Sequence, residues 1–332
     1  MKFGWLGIGA LCGALGLVTA LAAPAAARDK VVFGTNWLAQ AEHGGFYQAL
    51  ADGTYEKYGL DVEIRMGGPQ VNHSLLLAAG RVDFNMGGEG YGALNYVQNT
   101  IPIRAVASIF QKEPRVMIAH PDTGVTDLAS LKGRPILLSK DALTTYWLWM
   151  KRTQGLTDDQ VRPYNFSPAP FLADKNMILQ GYLSSEPLTV MQAGVKPVVL
   201  LLADYGYDTY STTIEARQET IDKNPELVQR FVDATILGWK TYLTGNPAAG
   251  NALIKAANPE MTDEQLAYAI KVLNEHGIVQ SGDALTLGIG AMTDARWQSF
   301  FDGTVKAGIY PADLDLKKAY TLQFVNKGVG LH

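Results

Sequence analysis

Short apolar runs alternate with amphipathic stretches from residue 31 to about residue 203, and that alternation sets the architecture. Val31-Val32-Phe33 ends at Gly34, a polar turn carries Asn36, Trp37 and His43, and a helix-like segment then places Phe46, Ala49 and Leu50 on one side. A second apolar run follows at 62–64, completing the strand, turn, helix, strand unit from which parallel sheets with covering helices are built. Further strands are predicted at 82–86, 103–109, 115–119, 135–138, 161–166, 178–183 and 197–203. Helices are predicted at 74–79, 127–132, from 141 through Tyr146, Trp147 and Trp149 to near Gly155, and at 171–176 and 186–192. The count suffices for two parallel sheets. Beyond Tyr210 the pattern turns helical: Asn224-Pro225 offers a cap and a first-turn proline. Leu227, Phe231, Ala234, Gly238 and Tyr242 then recur on one stripe, a helix follows at 263–275, and the tail at 296–324 is mostly helical in pattern.

The first residues change the picture of where the chain works. Lys2 precedes an uncharged apolar run to Leu21 and the small-residue segment Ala22-Ala23-Pro24-Ala25-Ala26-Ala27. That order describes a secretory leader, residues 1–27, cut after Ala27, and implies a periplasmic protein; an uncleaved membrane anchor is the alternative. The single cysteine, Cys12, leaves with the leader, so no disulfide framework or thiol chemistry is expected. Loss of Lys2 moves the formal charge from −4 to about −5, which gives no basic face for nucleic acid. About 300 remaining residues predict two lobes.

Ligands of open α/β sheets bind beyond the carboxyl ends of strands, so the residues at those ends are the candidates. Asn36, Trp37 and His43 follow the first strand, and the glycine-rich run with Gly88, Glu89 and Tyr91 follows the third. Ser139, Lys140 and Tyr146 follow 135–138; Phe166 ends 161–166; Tyr182 and Glu186 flank the end of 178–183; Asp204 and Tyr205 follow the last run. Each has a plainer role open to it. Trp37 can plug the core, His43 can cap a turn, Glu186 suits a helix N-terminus through the macrodipole, and Asp204 and Tyr205 can serve as turn and packing residues. Gly88-x-Gly90-x-x-Ala93 resembles a dinucleotide fingerprint but lacks the acidic partner about 20 residues on. The five histidines, at 43, 73, 120, 276 and 332, do not cluster, and no zincin or nucleophile-elbow motif is present. No metal, cofactor or catalytic residue is therefore expected.

Asn36-Trp37, His43-Gly44, Tyr47 and Tyr55-Glu56-Lys57-Tyr58-Gly59-Leu60-Asp61-Val62 resemble the opening of the nitrate/sulfonate/taurine superfamily of periplasmic binding proteins. Within it they are most similar to the branch that binds thiamin-pyrimidine precursors such as formylaminopyrimidine and is related to thiamin-pyrimidine synthase. Ala79-Gly80-Arg81-Val82-Asp83, Leu131-Lys132-Gly133, Gly181-Tyr182 and Asn224-Pro225-Glu226 extend the resemblance over nearly the whole chain after the leader. The resemblance implies a monomeric, two-lobed receptor of an ABC importer, with a permease and its ATPase as partners and a peripheral contact with that membrane complex. It implies two crossings between lobes, giving lobe 1 as 28–112 and 213–332 and lobe 2 as 113–212, and it adds Tyr47 to the candidate site. The synthase carries its cofactor lysine after the Val-Asp strand; here Gly87-Gly88 stand there, so an enzyme of that kind is not expected.

Side-chain chemistry orders the ligands. With Lys140 as the only base among the candidates against Glu89, Glu186, Asp204 and several aromatics, a neutral or weakly basic nitrogen heterocycle comes first. An aromatic acid or flavin-like ring is second, and an alkyl sulfonate or nitrate, which wants guanidinium or ammonium groups, is third.

Overall fold

The computed structural model describes residues 1–4, 27–68 and 71–331; the leader predicted at 1–27, apart from its ends, lies outside the described residues. Among the described residues, ten strands build two five-stranded sheets. The first contains β1 (Asp29–Gly34), β2 (Leu60–Arg65), β3 (Phe84–Met86), β4 (Ile103–Phe110) and β10 (Ser211–Arg217), in the order β2-β1-β3-β10-β4. The second contains β5 (Arg115–Ala119), β6 (Ile136–Leu138), β7 (Val161–Pro163), β8 (Ile178–Tyr182) and β9 (Val198–Leu201), in the order β7-β6-β8-β5-β9. This is the two-lobed binding-protein architecture expected from the sequence.

The sheets are mixed rather than parallel. β5 runs antiparallel to β8 and β9, and β10 runs antiparallel to β3 and β4. The cause is the connection. β4 leads directly into β5, and β9 leads through a single 3-10 turn into β10, so each crossing strand enters its new sheet from the end the chain has just reached. The sequence reading missed β10 because Ser211-Thr212-Thr213-Ile214-Glu215 is mostly polar. Its polar side chains are nevertheless buried, and Glu215 accepts hydrogen bonds from the Asn85 side-chain amide (2.7 Å) and the Tyr96 hydroxyl (2.8 Å). Paired in this way, a polar strand can sit at the centre of a sheet.

Other departures are smaller. The helix predicted at 127–132 is only a 3-10 turn, Ala129–Leu131, and the tail keeps one α-helix, Asp294–Lys306, before irregular chain. A helix at Ala248–Ala257 was not read from the sequence.

The first lobe is held by the helix Pro225–Thr244. Phe231 stacks on Phe84 (4.2 Å between centroids) and on Tyr55 (5.5 Å) and tilts against Phe33 (5.4 Å). Gly238 on the same stripe lets the helix Gly44–Ala51 approach closely; an added Cβ would strike the Gly45 carbonyl oxygen and the Ala49 side chain. That approach sets where His43, immediately before the shorter helix, can stand.

Burial raises the Glu215 carboxyl from its ordinary 4.5 to about 7. Unfolded chain releases this proton near 4.5 and folded chain near 7, so between those values folding retains a proton and stability falls with rising pH, by about 3 kcal/mol in all. Glu215→Gln keeps an oxygen for Asn85 and Tyr96 without the titration. Urea denaturation should therefore show the variant gaining on the native protein between pH 5 and pH 8; a difference that stays constant across that range would contradict the assignment.

Candidate functional site

Between the sheets lies a cleft with an inner chamber of about 180 Å³ and an outer mouth of about 830 Å³, which share Asn36, Trp37, Met86, Ser139 and Phe166. The first lobe offers the loop after β1. Gly67 donates its backbone N–H to the Trp37 carbonyl (3.1 Å) and to the Thr35 hydroxyl (3.2 Å), His73 meets the Thr35 carbonyl (2.7 Å), and Asn258 donates to the Ala39 carbonyl (2.9 Å). The loop is thus pinned at three points, leaving the Asn36 and Trp37 side chains toward the cleft. His43 Nε2 lies 3.1 Å from Asn36 Oδ1, and burial lowers its pKa to about 3, so the ring is neutral at ordinary pH; its Nδ1 has no partner.

The second lobe is organised by Gln180 on β8. Its Oε1 accepts from the Ser139 backbone and the Tyr146 hydroxyl, both at 2.7 Å, while its Nε2 donates to Ser139 Oγ (3.3 Å). Glu186 Oε2 accepts from the Tyr182 backbone (2.8 Å) and from the Ser185 hydroxyl, and Tyr164 donates to Oε1 (3.4 Å). Gly181 permits this, since a Cβ there would press on Glu186.

Across the cleft, Trp37 and Phe166 bring their rings to 4.5 Å, and Ser184 donates to the buried Glu42 carboxyl, whose pKa is raised by burial. Gln192 reaches Glu264 (2.9 Å) and Tyr268 the Leu183 carbonyl (3.4 Å), so contacts from both lobes close the rim. Phe166 adopts φ +60° and Thr212 φ +48°, the left-handed region that costs non-glycine residues. Both line the inner chamber, which fits the tendency of strain to gather at ligand sites.

Of the sequence candidates, Asn36, Trp37, His43, Ser139, Phe166, Tyr182 and Glu186 line the inner chamber, and Lys140 lies exposed at the outer mouth. The others lie elsewhere. Tyr47 is inside the first-lobe core, and Tyr146 is buried behind Gln180. Gly88 borders open space but lines neither chamber, Glu89 is buried beside it, and Tyr91 lines a separate cavity. Asp204 is exposed and Tyr205 half-buried after β9, the edge strand beyond β5, which carries them past the cleft.

The sequence reading missed Arg115. It opens β5, and because β5 is antiparallel to β8, its start lies where the parallel strands end. Thr212, near the start of β10, was missed because that polar strand was not read from the sequence. The Arg115 guanidinium sits over the Tyr182 ring (4.4 Å) and the Tyr146 ring (4.8 Å) and 3.6 Å from Glu113. Burial and the Glu89 carboxylate push Glu113 up to about 7. Lys140 is therefore not the only base of the site. The inner chamber holds one half-buried guanidinium, the carboxyl groups of Glu42 and Glu186, a neutral imidazole and three aromatic rings. Among the described residues, no group of three or more His, Cys, Asp or Glu is placed to hold a metal.

Comparison with known proteins gives a family and a fold. A family described as NMT1/THI5 like matches residues 40–249. The riboflavin-binding protein RibY of Chloroflexus aurantiacus is 24% identical over 96% of this chain and 94% of its own. The periplasmic aliphatic sulphonate binding protein SsuA of Escherichia coli superposes with a TM-score of 0.66 at 16% identity, covering 88% of this chain and 91% of that one. A desulfurization enzyme, DSZB, shares the fold as well, with a TM-score of 0.60 at 14% identity over 90% and 97% of the two chains.

The backbone at Phe166 supplies a test of the strain at this site. Phe166→Gly and Phe166→Ala both remove the ring, but only glycine accepts φ +60° without cost. The glycine variant should be the more stable of the two by about 1 kcal/mol in chemical denaturation; equal stabilities would show that the position carries no strain.

Proposed function

The chain belongs to the NMT1/THI5-like family, and we propose that it is the exported solute-binding component of an ABC importer that closes two lobes on a small planar nitrogen heterocycle. The observation that carries this reading is the chamber's composition. Arg115 and Glu186, both beside Tyr182, line a space with Trp37 and Phe166, so one flat ring can find aromatic faces, a donor for a ring carbonyl or nitrogen, and an acceptor for an N–H. A pyrimidine bearing an amino group has all three features. On this reading residues 28–112 and 213–332 form one lobe and 113–212 the other. The leader delivers the protein to the periplasm, and the ligand-closed form is the one offered to the permease and its ATPase.

A flavin-like ring is the second reading, favoured by the relative named for riboflavin binding and by the outer mouth, which gives a larger ring system room to extend from the inner chamber. A sulfonate gains support from Arg115 but meets the carboxyl groups of Glu42 and Glu186 at the same chamber. The reading is of a binder rather than an enzyme: the chain's only cysteine falls in the predicted leader, and Glu186, which accepts from the Ser185 hydroxyl, is also taken up by the Tyr182 backbone and Tyr164.

Titration of tryptophan fluorescence with an aminopyrimidine, riboflavin and an alkanesulfonate separates these readings. One of the two heterocycles should bind, and Glu186→Gln should weaken it about 10- to 100-fold by loss of a charge-assisted hydrogen bond. Binding of the sulfonate alone, tightened by Glu186→Gln, would replace the heterocycle with an anion.

A further inference from the structure

A cavity of about 370 Å³ stands apart from the ligand cleft and shares no lining residue with it. It lies between the helix Tyr146–Gln154 of the second sheet's lobe, the return crossing at 206–208, and the helix Asp294–Lys306 packed on the first. We propose that this crevice is a second binding site, for a small aromatic anion such as an aromatic carboxylate, which it holds across both lobes.

The walls are a chain of rings. Trp149 lies 5.0 Å from Tyr207, Tyr207 stacks on Tyr91 at 6.1 Å, and Tyr91 meets the edge of Phe300 at 5.1 Å. A cavity of this size with aromatic walls is the usual form of a small-molecule site. Its charge is opposite to that of the cleft. Arg152 from one lobe and Lys306 from the other stand exposed in the lining, and neither is in an ion pair among the described residues. The one carboxylate in the lining, Asp208, is taken up by Arg296 at 2.7 Å. Aromatic faces beneath two uncommitted cations suit a ring that carries a carboxylate, whereas the cleft, with Glu42 and Glu186, disfavours one.

Gly303 adds an independent observation. It lies in the last turn of the helix Asp294–Lys306, and a Cβ there would meet nothing within 4 Å. No packing neighbour demands the glycine; its effect is to leave the cavity wall open. An occupant touching both lobes is favoured in one lobe arrangement over another, so filling the crevice biases the hinge.

The test uses the purified protein with nitrogen-15-labelled tryptophan and follows the indole signals, that of Trp149 being assigned from Trp149→Phe. Benzoate should shift the Trp149 signal saturably and leave Trp37 in place, with benzamide, its neutral counterpart, at least about tenfold weaker. Arg152→Glu and Lys306→Glu, both on exposed positions, should each weaken benzoate about tenfold, and Gly303→Leu should abolish its effect. No saturable shift at Trp149, a shift confined to Trp37, equal binding of benzamide, or unchanged binding in the charge-reversed variants would overturn the proposal. Because the readout is at Trp149 rather than in the cleft, its outcome is independent of which ligand the cleft takes.

Discussion

One guanidinium holds together the two chain crossings between the sheets. Arg296, near the start of the helix Asp294–Lys306, reaches the Gln111 side chain (3.2 Å) and its carbonyl on the first crossing. It also reaches Asp208 (2.7 Å) and the face of Tyr210 (4.3 Å) on the second. Both crossings are thereby fixed to the first lobe, and Gln111 is further held by donating to the Ala291 carbonyl (2.9 Å). A charged group with several hydrogen-bond partners in a half-buried setting contributes more than a surface ion pair. The site depends on this clamp, since the strands that leave it, β5 and β10, carry Arg115 and Thr212 into the cleft.

From that clamp the electrostatics of the cleft follow. Arg115 enters a space already occupied by Glu113 and Glu89, with Glu42 and Glu186 further out, and burial raises the Glu113 and Glu42 carboxyls so that the chamber need not hold every charge at once. Several buried polar atoms around it, including Glu89 Oε1 and His43 Nδ1, have no partner among the described residues. Unpaired buried groups are costly, and a ligand or ordered water that pairs with those facing the chamber removes part of that cost. Trp37 on Phe166 and Glu42 bonded to Ser184 join the two sheets' sides beside the chamber.

The sequence made the alternating core legible because β1, β3, β6 and β8 are apolar runs and their carboxyl ends obey a general rule. Asn36, Trp37, Ser139 and Glu186 reach the chamber for that reason. The rule fails where direction reverses. β5 and β10 present their amino ends to the cleft, and nothing in a hydropathy pattern reports direction, so Arg115 passed as an ordinary strand residue, while Thr212 was lost with its polar strand. It fails again at the sheet edge, where Asp204 and Tyr205 follow a strand end that the cleft does not reach. Tyr47 and Tyr146 show a third cause: an aromatic ring suits a core as well as a site, and only its neighbours decide between them.

The central claim is that the two crossings act as a hinge about which the lobes close on a planar heterocycle. Small-angle X-ray scattering of the purified protein, with and without a saturating aminopyrimidine or riboflavin, tests it most directly. The account predicts that the heterocycle which binds makes the particle more compact, by closing a cleft that opens in its absence. Saturating binding with an unchanged scattering profile would contradict it, because the ligand would then be held without any motion of one lobe against the other.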